Sequence, residues 1–187
     1  VIPQPGTNRW SGVSLPWMAF GYGLSVTPLQ TLTLYNAVAN NGVMVKPIFV
    51  SEIKEWNKTI KKFDTQVINP KICSQETLDK VHAVLENVVR KGTGSKLYSK
   101  DFSMAGKTGT AQVVSIPQSE KVRMKESEME YFQRSHAWIT TYGPYKNPKY
   151  VVTIIQEHGG GGGSATGGIA SKIYDKLYEL GYITELE

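Results

Sequence analysis

The stretch from Ala137 to Gln156 constrains this chain more than any other. Two runs, Ala137 to Gly143 and Tyr150 to Gln156, favour extension, and Pro144-Tyr145-Lys146-Asn147-Pro148 between them is rich in turn residues. The second run sets Val151, Val152, Ile154 and Ile155 on both faces of a strand, so it reads as central, with cover needed above and below. A third extended run, Ser103 to Val114, has no proline and ends in Gln112-Val113-Val114. The three predict an antiparallel three-stranded unit.

Cover comes from helical patterns. Thr27-Pro28 opens one, with a hydroxyl able to cap and a proline at the first helical position. Leu29, Leu32, Tyr35 and Ala39 share its face, and Asn40-Asn41-Gly42 ends it. Ser74 caps a second, striped by Leu78, Val81, Leu85, Val88 and Val89 and stopped by Lys91-Gly92-Thr93-Gly94. His82 lies off that stripe and reads as a surface histidine. Ile169, Ile173, Leu177 and Leu180 align along a closing helix that Gly181 caps, so the run Gly159 to Gly163 reads as a tight strand-to-helix passage instead of a linker. Between the first two helices, Val45 to Lys54 and Ile60 to Ile68 flank Trp56-Asn57-Lys58-Thr59 as a hairpin. Residues 1–26 form a loop-like opening, and Pro117 to Arg134 is a mixed-charge excursion expected as a solvated loop or short helix. The pattern is α+β, an antiparallel sheet flanked by helices. With 187 residues, 40% of them hydrophobic, the chain is expected to build one sizeable core or one large part of a bigger domain, with no second domain.

Composition excludes several function classes. The formal charge of +5 is scattered, without a basic run interleaved with aromatics, so a solvated basic surface is expected and no nucleic-acid partner. Cys73 is alone and the three histidines are far apart in sequence, which supports neither an intrachain disulfide nor a Cys/His metal site. No apolar run reaches 18 residues. Val1-Ile2-Pro3-Gln4 starts without a methionine, and the expectation is a chain incomplete at its N-terminus. Gly160, Gly162 and Ala165 fit G-x-G-x-x-A, but no second parallel strand follows, so a dinucleotide cofactor is not expected. Ser51-Glu52-Ile53-Lys54 matches S-x-x-K, yet it falls in an expected strand. Residues three apart there point to opposite faces, roughly 10 Å apart, and cannot form a nucleophile and its activator. A Ser/His/Asp triad using His82, His136 or His158 has no support in the spacing.

Gly106-Lys107-Thr108-Gly109-Thr110-Ala111-Gln112 gathers a cation, two hydroxyls and two glycines on one extended run. Alternation puts Lys107 and Gly109 on one face and Thr108 and Thr110 on the other. Joint action on an anion therefore needs a twisted edge strand, with the ligand held along the edge and the Thr110 N–H free to donate. Lys-Thr-Gly by itself reads first as a glycine-containing strand with an exposed lysine, and its context must carry the rest.

Taken with Gly21-Tyr22-Gly23-Leu24-Ser25-Val26-Thr27-Pro28-Leu29-Gln30, that run resembles the transpeptidase domain of class B penicillin-binding proteins over nearly the whole chain. Trp10 to Gln112 looks closer to division-type members. Arg134-Ser135-His136-Ala137-Trp138 and Glu157-His158-Gly159-Gly160 look closer to elongation-type penicillin-binding protein 2. The resemblance implies a five-stranded antiparallel sheet between helices. It also implies a serine D,D-transpeptidase that cross-links peptidoglycan stem peptides ending in D-Ala-D-Ala and is acylated by β-lactams. Lys107 would supply positive potential and Thr108 and Thr110 would bond the terminal carboxylate, with Gly109 and Gln112 also at the substrate. The N–H of Thr110 would donate in an oxyanion hole, making Lys107 and Thr110 the catalytic pair. The family's further S-x-x-K and S-x-N elements have no counterpart here. The chain then reads as the C-terminal portion of one such domain, with residues 1–26, 27–94 and 103–187 as opening loop, helix-hairpin-helix, and strands with closing helix. Alone it would lack acyl-enzyme chemistry. Its expected setting is the outer or periplasmic face of a bacterial inner membrane, among cell-wall synthesis proteins. The competing readings are a non-catalytic module that senses β-lactams or peptides, and a β-lactamase-type hydrolase.

Overall fold

The computed structural model describes residues 2–113 and 125–184. Residues 114–124, including the end of the expected third strand and part of the charged excursion, lie outside the described residues. The described residues hold four helices: α1 Ser14–Ala19, α2 Pro28–Ala39, α3 Gln75–Lys91 and α4 Gly162–Glu179. The strands are β1 Met44–Val45, β2 Glu52–Glu55, β3 Lys58–Lys62, β4 Val67–Asn69, β5 Ala105–Ala111, β6 His136–Gly143 and β7 Tyr150–Gln156.

The main sheet is antiparallel, in the order β5-β6-β7. Among the described residues this sheet has three strands, not the five that the resemblance implies. The other four strands make the two-stranded pairs β1-β4 and β2-β3. Strand β6, not β7, is central. All but two of its residues are buried, whereas most of β7 is only half-buried and its outer edge has no strand partner among the described residues. The apolar residues of β7 answer to packing on its two faces and not to lateral pairing. Val152 and Ile154 pack on the α4 side, and Val151 packs on the α2 and α3 side.

Each face has its own core. On one, Ala170 and Tyr174 of α4 meet Ile139, Leu97, Phe102 and Met104. On the other, Val38 of α2 and Leu78 and Leu85 of α3 meet Ala105 and Tyr142. Period-two alternation makes this division possible: Met104 and Ala105, adjacent in the chain, belong to opposite cores. Tyr174 Oη accepts from Thr141 Oγ1 at 3.2 Å and donates to the Tyr150 carbonyl at 3.4 Å, so this buried phenol joins α4 to β6 and β7.

The helix termini follow the sequence signals. Thr27 Oγ1 accepts from the Gln30 N–H, and Gln30 Oε1 accepts from the Thr27 N–H at 2.8 Å, a reciprocal cap with Pro28 behind it. Ser74 Oγ accepts from the Thr77 N–H at 3.2 Å. Gly181, at φ +73°, follows α4 in the left-handed region. The expected faces are less accurate. In α2 the buried residues are Ala37 and Val38, while Leu29 is exposed. In α4 the buried stripe is Gly162, Thr166, Gly167, Ala170 and Tyr174, and Ile169 and Ile173 are exposed. Small residues win that face because α4 approaches its neighbours closely: a Cβ at Gly167 would lie 3.1 Å from the Lys96 side chain.

His82 is also corrected. It is half-buried, with Nδ1 2.6 Å from Tyr142 Oη and a main-chain bond to Val38, so it ties α3 to β6 and α2. Burial pulls its imidazole below the ordinary histidine range, against the opposing pull of Asp79 and the Val38 bond. Tyr142 is raised far above the ordinary phenol range, by burial first and then by Tyr145, Glu86 and Tyr35.

The expected hairpin forms, with a two-residue turn at Trp56-Asn57, both at positive φ. Ser51 sits in a bend before β2, and Lys54 pairs with Glu52 at 2.6 Å, so the S-x-x-K match has no catalytic geometry. The opening loop contains the short helix α1, which buries none of its residues. Two short 3-10 turns, Glu126–Glu128 and Tyr131–Gln133, occupy the described part of the charged excursion. Among the described residues no helix is long and apolar enough to cross a membrane, and no group of three or more His, Cys, Asp or Glu could hold a metal ion.

Candidate active site

Strand β5 is an edge strand of the three-stranded sheet, so one side of its backbone pairs with β6 and the other has no strand partner among the described residues. Its register is regular: Lys107 faces Thr140, Gly109 faces Trp138 and Thr110 faces Ala137. Lys107 is exposed on the α2 and α3 face, and Thr108 and Thr110 lie on the α4 face, as alternation requires. The lysine nevertheless comes back to the strand. Its Nζ donates to the Thr108 carbonyl at 2.6 Å, so the long side chain curls onto its own backbone. That contact marks the Thr108 carbonyl as edge-facing, and the two-residue repeat turns the Thr110 N–H to the same edge.

The two threonines have different fates. Thr108 is 9% exposed, and its hydroxyl is 2.7 Å from Thr93 Oγ1, in the turn that closes α3. Thr110 is exposed, and its Oγ1 accepts from the Gly162 N–H at 3.2 Å, at the start of α4. An oxygen that accepts one bond still has its own hydrogen to give, so the Thr110 hydroxyl remains a donor. The positive end of the α4 macrodipole lies behind it. Lys107 Nζ, drawn to the Thr108 carbonyl, and the Thr110 hydroxyl, held at the start of α4, are the polar groups that β5 presents here. Thr108 braces the strand from inside, where its side chain is almost fully covered.

The glycine run makes the approach possible. A Cβ at Gly162 would collide with the Gly109 carbonyl and lie 2.7 Å from the Trp138 carbonyl, and one at Gly163 would collide with the Thr93 carbonyl. A linker would not need such contacts, so the tight-passage reading is correct. At the far end of the strand, Tyr22 Oη donates to Gln112 Oε1 at 3.1 Å, which brings the Gly-Tyr-Gly stretch to the Lys-Thr-Gly strand across 90 residues.

The sequence reading missed Thr93 and Gly162 as partners of the two hydroxyls. Both stood in glycine-rich stretches read as a helix stop and a passage, and a polar group beside glycines that permit close backbone approach is the signal that could have found them. Cys73 packs beside the core under α2 and α3 and takes no part in the site.

A lysine, a donor hydroxyl and a backbone edge without a strand partner among the described residues, backed by a helix N-terminus, have the chemistry to hold an anion. The model of the penicillin-binding protein transpeptidase domain matches residues 3–179. The chain belongs to that family. The peptidoglycan D,D-transpeptidase MrdA of Haemophilus influenzae is 33% identical over 156 residues, covering 81% of this chain and 23% of the relative. Stage V sporulation protein D of Bacillus subtilis is 31% identical over 174 residues, covering 87% and 24%. In structure, the chain resembles penicillin-binding protein 2 in a complex with MreC from Helicobacter pylori, with TM-score 0.64 and 34% identity over 86% of this chain and 27% of that one. A penicillin-binding protein A from M. tuberculosis, solved as a ceftriaxone acyl-enzyme, shares the fold at TM-score 0.74 and 20% identity, over 90% of this chain and 36% of that one. The chain spans about a quarter of the length of the two curated relatives. Members of the transpeptidase family therefore share with it an α+β fold of helices on an antiparallel sheet.

Proposed function

We propose that this chain is the C-terminal portion of a peptidoglycan D,D-transpeptidase domain, and that its part in the reaction is to hold the acyl donor. The observation that carries the reading is the Thr110 hydroxyl, fixed by the Gly162 N–H at an open strand edge beside Lys107. A stem peptide ending in D-Ala-D-Ala adds along β5, with its terminal carboxylate on the Thr110 hydroxyl and under the potential of Lys107. The Thr110 N–H donates to the carbonyl oxygen under attack, a contact worth ~10²–10³ in rate in enzymes of this kind. Gly109 leaves room for the peptide on the Lys107 face, and Gln112, bonded to Tyr22, borders its far end.

The attacking serine comes from outside these 187 residues. Its hydroxyl adds to the penultimate D-Ala carbonyl, the terminal D-Ala leaves with the serine proton, and an amine of a second stem peptide takes the acyl group. A β-lactam, whose carboxylate mimics that of the donor, stops at the acyl stage. The surroundings implied are the outer face of a bacterial inner membrane and the other proteins of cell-wall synthesis. No cofactor enters this scheme.

Intact mass spectrometry tests it. This chain and a longer product of the same gene, carrying Ser-x-x-Lys ahead of Val1, are each incubated with a fluorescent penicillin. Labelling of the longer product alone is the expected result. Labelling of the 187-residue chain would overturn the placement of the nucleophile, and labelling of neither would favour a non-catalytic sensing module.

A further inference from the structure

A second donor is presented on the Lys107 face, apart from Lys107 and Thr110. His136 opens β6 directly opposite Ala111, and alternation puts it on the face of Lys107 and Gly109. Its Nδ1 accepts the main-chain N–H of His158 at 2.9 Å. A ring that accepts at Nδ1 carries its proton on Nε2, and no described residue bonds that Nε2. The ring is firmly placed: His158 packs edge-on against it with centroids 4.7 Å apart, and Tyr131 packs on His158 at 5.2 Å. His158 Nδ1 donates to the Arg134 carbonyl at 3.2 Å, and the Gly160 N–H donates to the Ser135 carbonyl at 2.9 Å, so the wall is pinned to the chain entering β6. In this register Ala111 lies between His136 and the edge of β5 that has no strand partner among the described residues.

We propose that His136 is a specificity-determining residue, whose Nε2–H recognises a side-chain carboxylate on the residue preceding D-Ala-D-Ala in the acyl donor. This rests on the transpeptidase reading. A peptide added antiparallel to β5, with its C-terminal carboxylate at Thr110, runs its preceding residues past Ala111 and Gln112. Strands lie about 4.8 Å apart, so peptide and β6 are separated by roughly 10 Å, a gap that one long side chain and one imidazole close together over a small residue. Alanine at position 111 keeps that path open. A preorganised N–H facing a carboxylate gives a charge-assisted bond, whereas an amide there gives a weaker one.

The test is an NMR titration of the 187-residue chain with two N-acetylated tripeptides ending in D-Ala-D-Ala, one beginning with glutamate and the other with glutamine. The glutamate peptide is expected to bind about tenfold more tightly and to shift the His136 Nε2–H resonance. His136→Asn keeps an oxygen where Nδ1 accepts from His158 but has no group at Nε2. It is expected to melt near the wild-type temperature and to bind both peptides equally. Ala111→Leu fills the path and is also expected to remove the preference. Retention of the tenfold preference by His136→Asn, or its absence in the wild type, overturns the proposal. If the wild type binds neither peptide, the inference falls, and penicillin labelling of the longer product then shows separately whether the transpeptidase reading falls with it.

Discussion

Thr108 and Thr110 share a strand face, and the bonds each makes separate their roles. Thr110→Val removes the acceptor for Gly162 and the donor proposed to meet the substrate carboxylate. Affinity for a carboxylate-bearing β-lactam or D-Ala-D-Ala peptide is expected to fall about 10- to 100-fold, since a bond to a charged group is worth about 1.5–3 kcal/mol. Thr108→Val leaves the Thr93 hydroxyl without its partner. Its expected signature is a loss of about 1 kcal/mol in denaturant stability, with a smaller change in ligand affinity. His82 sets a pH dependence. Its folded value is lowered from 6.5, so the unfolded chain takes up the proton first as pH falls. Stability from this group is complete above 6.5 and declines as pH drops from 6.5 through the lowered folded value. Melting temperatures measured between about pH 7.5 and about pH 5.5 should fall for the wild type and fall less for His82→Gln. The chemical types in the site were legible, since Lys107, Thr108, Thr110 and their glycines are contiguous. Which hydroxyl stays available was not, because Thr93 and Gly162, 15 and 52 residues from their respective partners, decide it.

At the level of elements, α4 is positioned by what it lacks. Gly162→Ala places a methyl group against the Gly109 and Trp138 carbonyls, so the helix start must move off β5 and β6. About 1–3 kcal/mol of lost stability is expected from such overpacking. The Thr110 bond should go with it, so penicillin acylation of the longer product should slow as well. Gly168 is the control, because a Cβ added there would meet nothing within 4 Å. Gly168→Ala on the same helix should be neutral or stabilising, since alanine favours helix over glycine. The hairpin offers a further check. Trp56 is 96% exposed at φ +48°, where a bulky residue gains nothing from packing and resists the backbone. Trp56→Gly is expected to slow amide exchange in β2 and β3, since glycine suits this turn.

In the whole molecule, two cores share one sheet, and the order of local stability follows from that. Exchange of β6 amides should be slowest, because both faces and both edges of that strand are covered. The β2-β3 pair, exposed along nearly its whole length, should exchange fastest among the strands. Comparable protection in β6 and in this pair would contradict the division. Tyr174→Phe removes the buried acceptor of the Thr141 hydroxyl and the tie between α4 and the sheet. It is expected to cost about 1 kcal/mol in equilibrium unfolding.

The amino-acid sequence by itself determined what is local: the caps at Thr27 and Ser74, the glycine beyond α4 and the three runs of the sheet, the Lys-Thr-Gly strand among them. Each is set by residues within a few positions of one another, where hydroxyls, prolines, glycines and apolar periodicity act directly on the backbone. The tertiary structure decided which strand is central, which helix faces are buried and which of the two strand threonines stays exposed. Those outcomes depend on contacts between residues far apart in the chain. The exposed Ile169 and Ile173, beside a buried stripe of glycine, threonine and alanine, show the reason. Where backbones meet closely, the room available outweighs hydrophobicity, and that room exists only once the elements have come together.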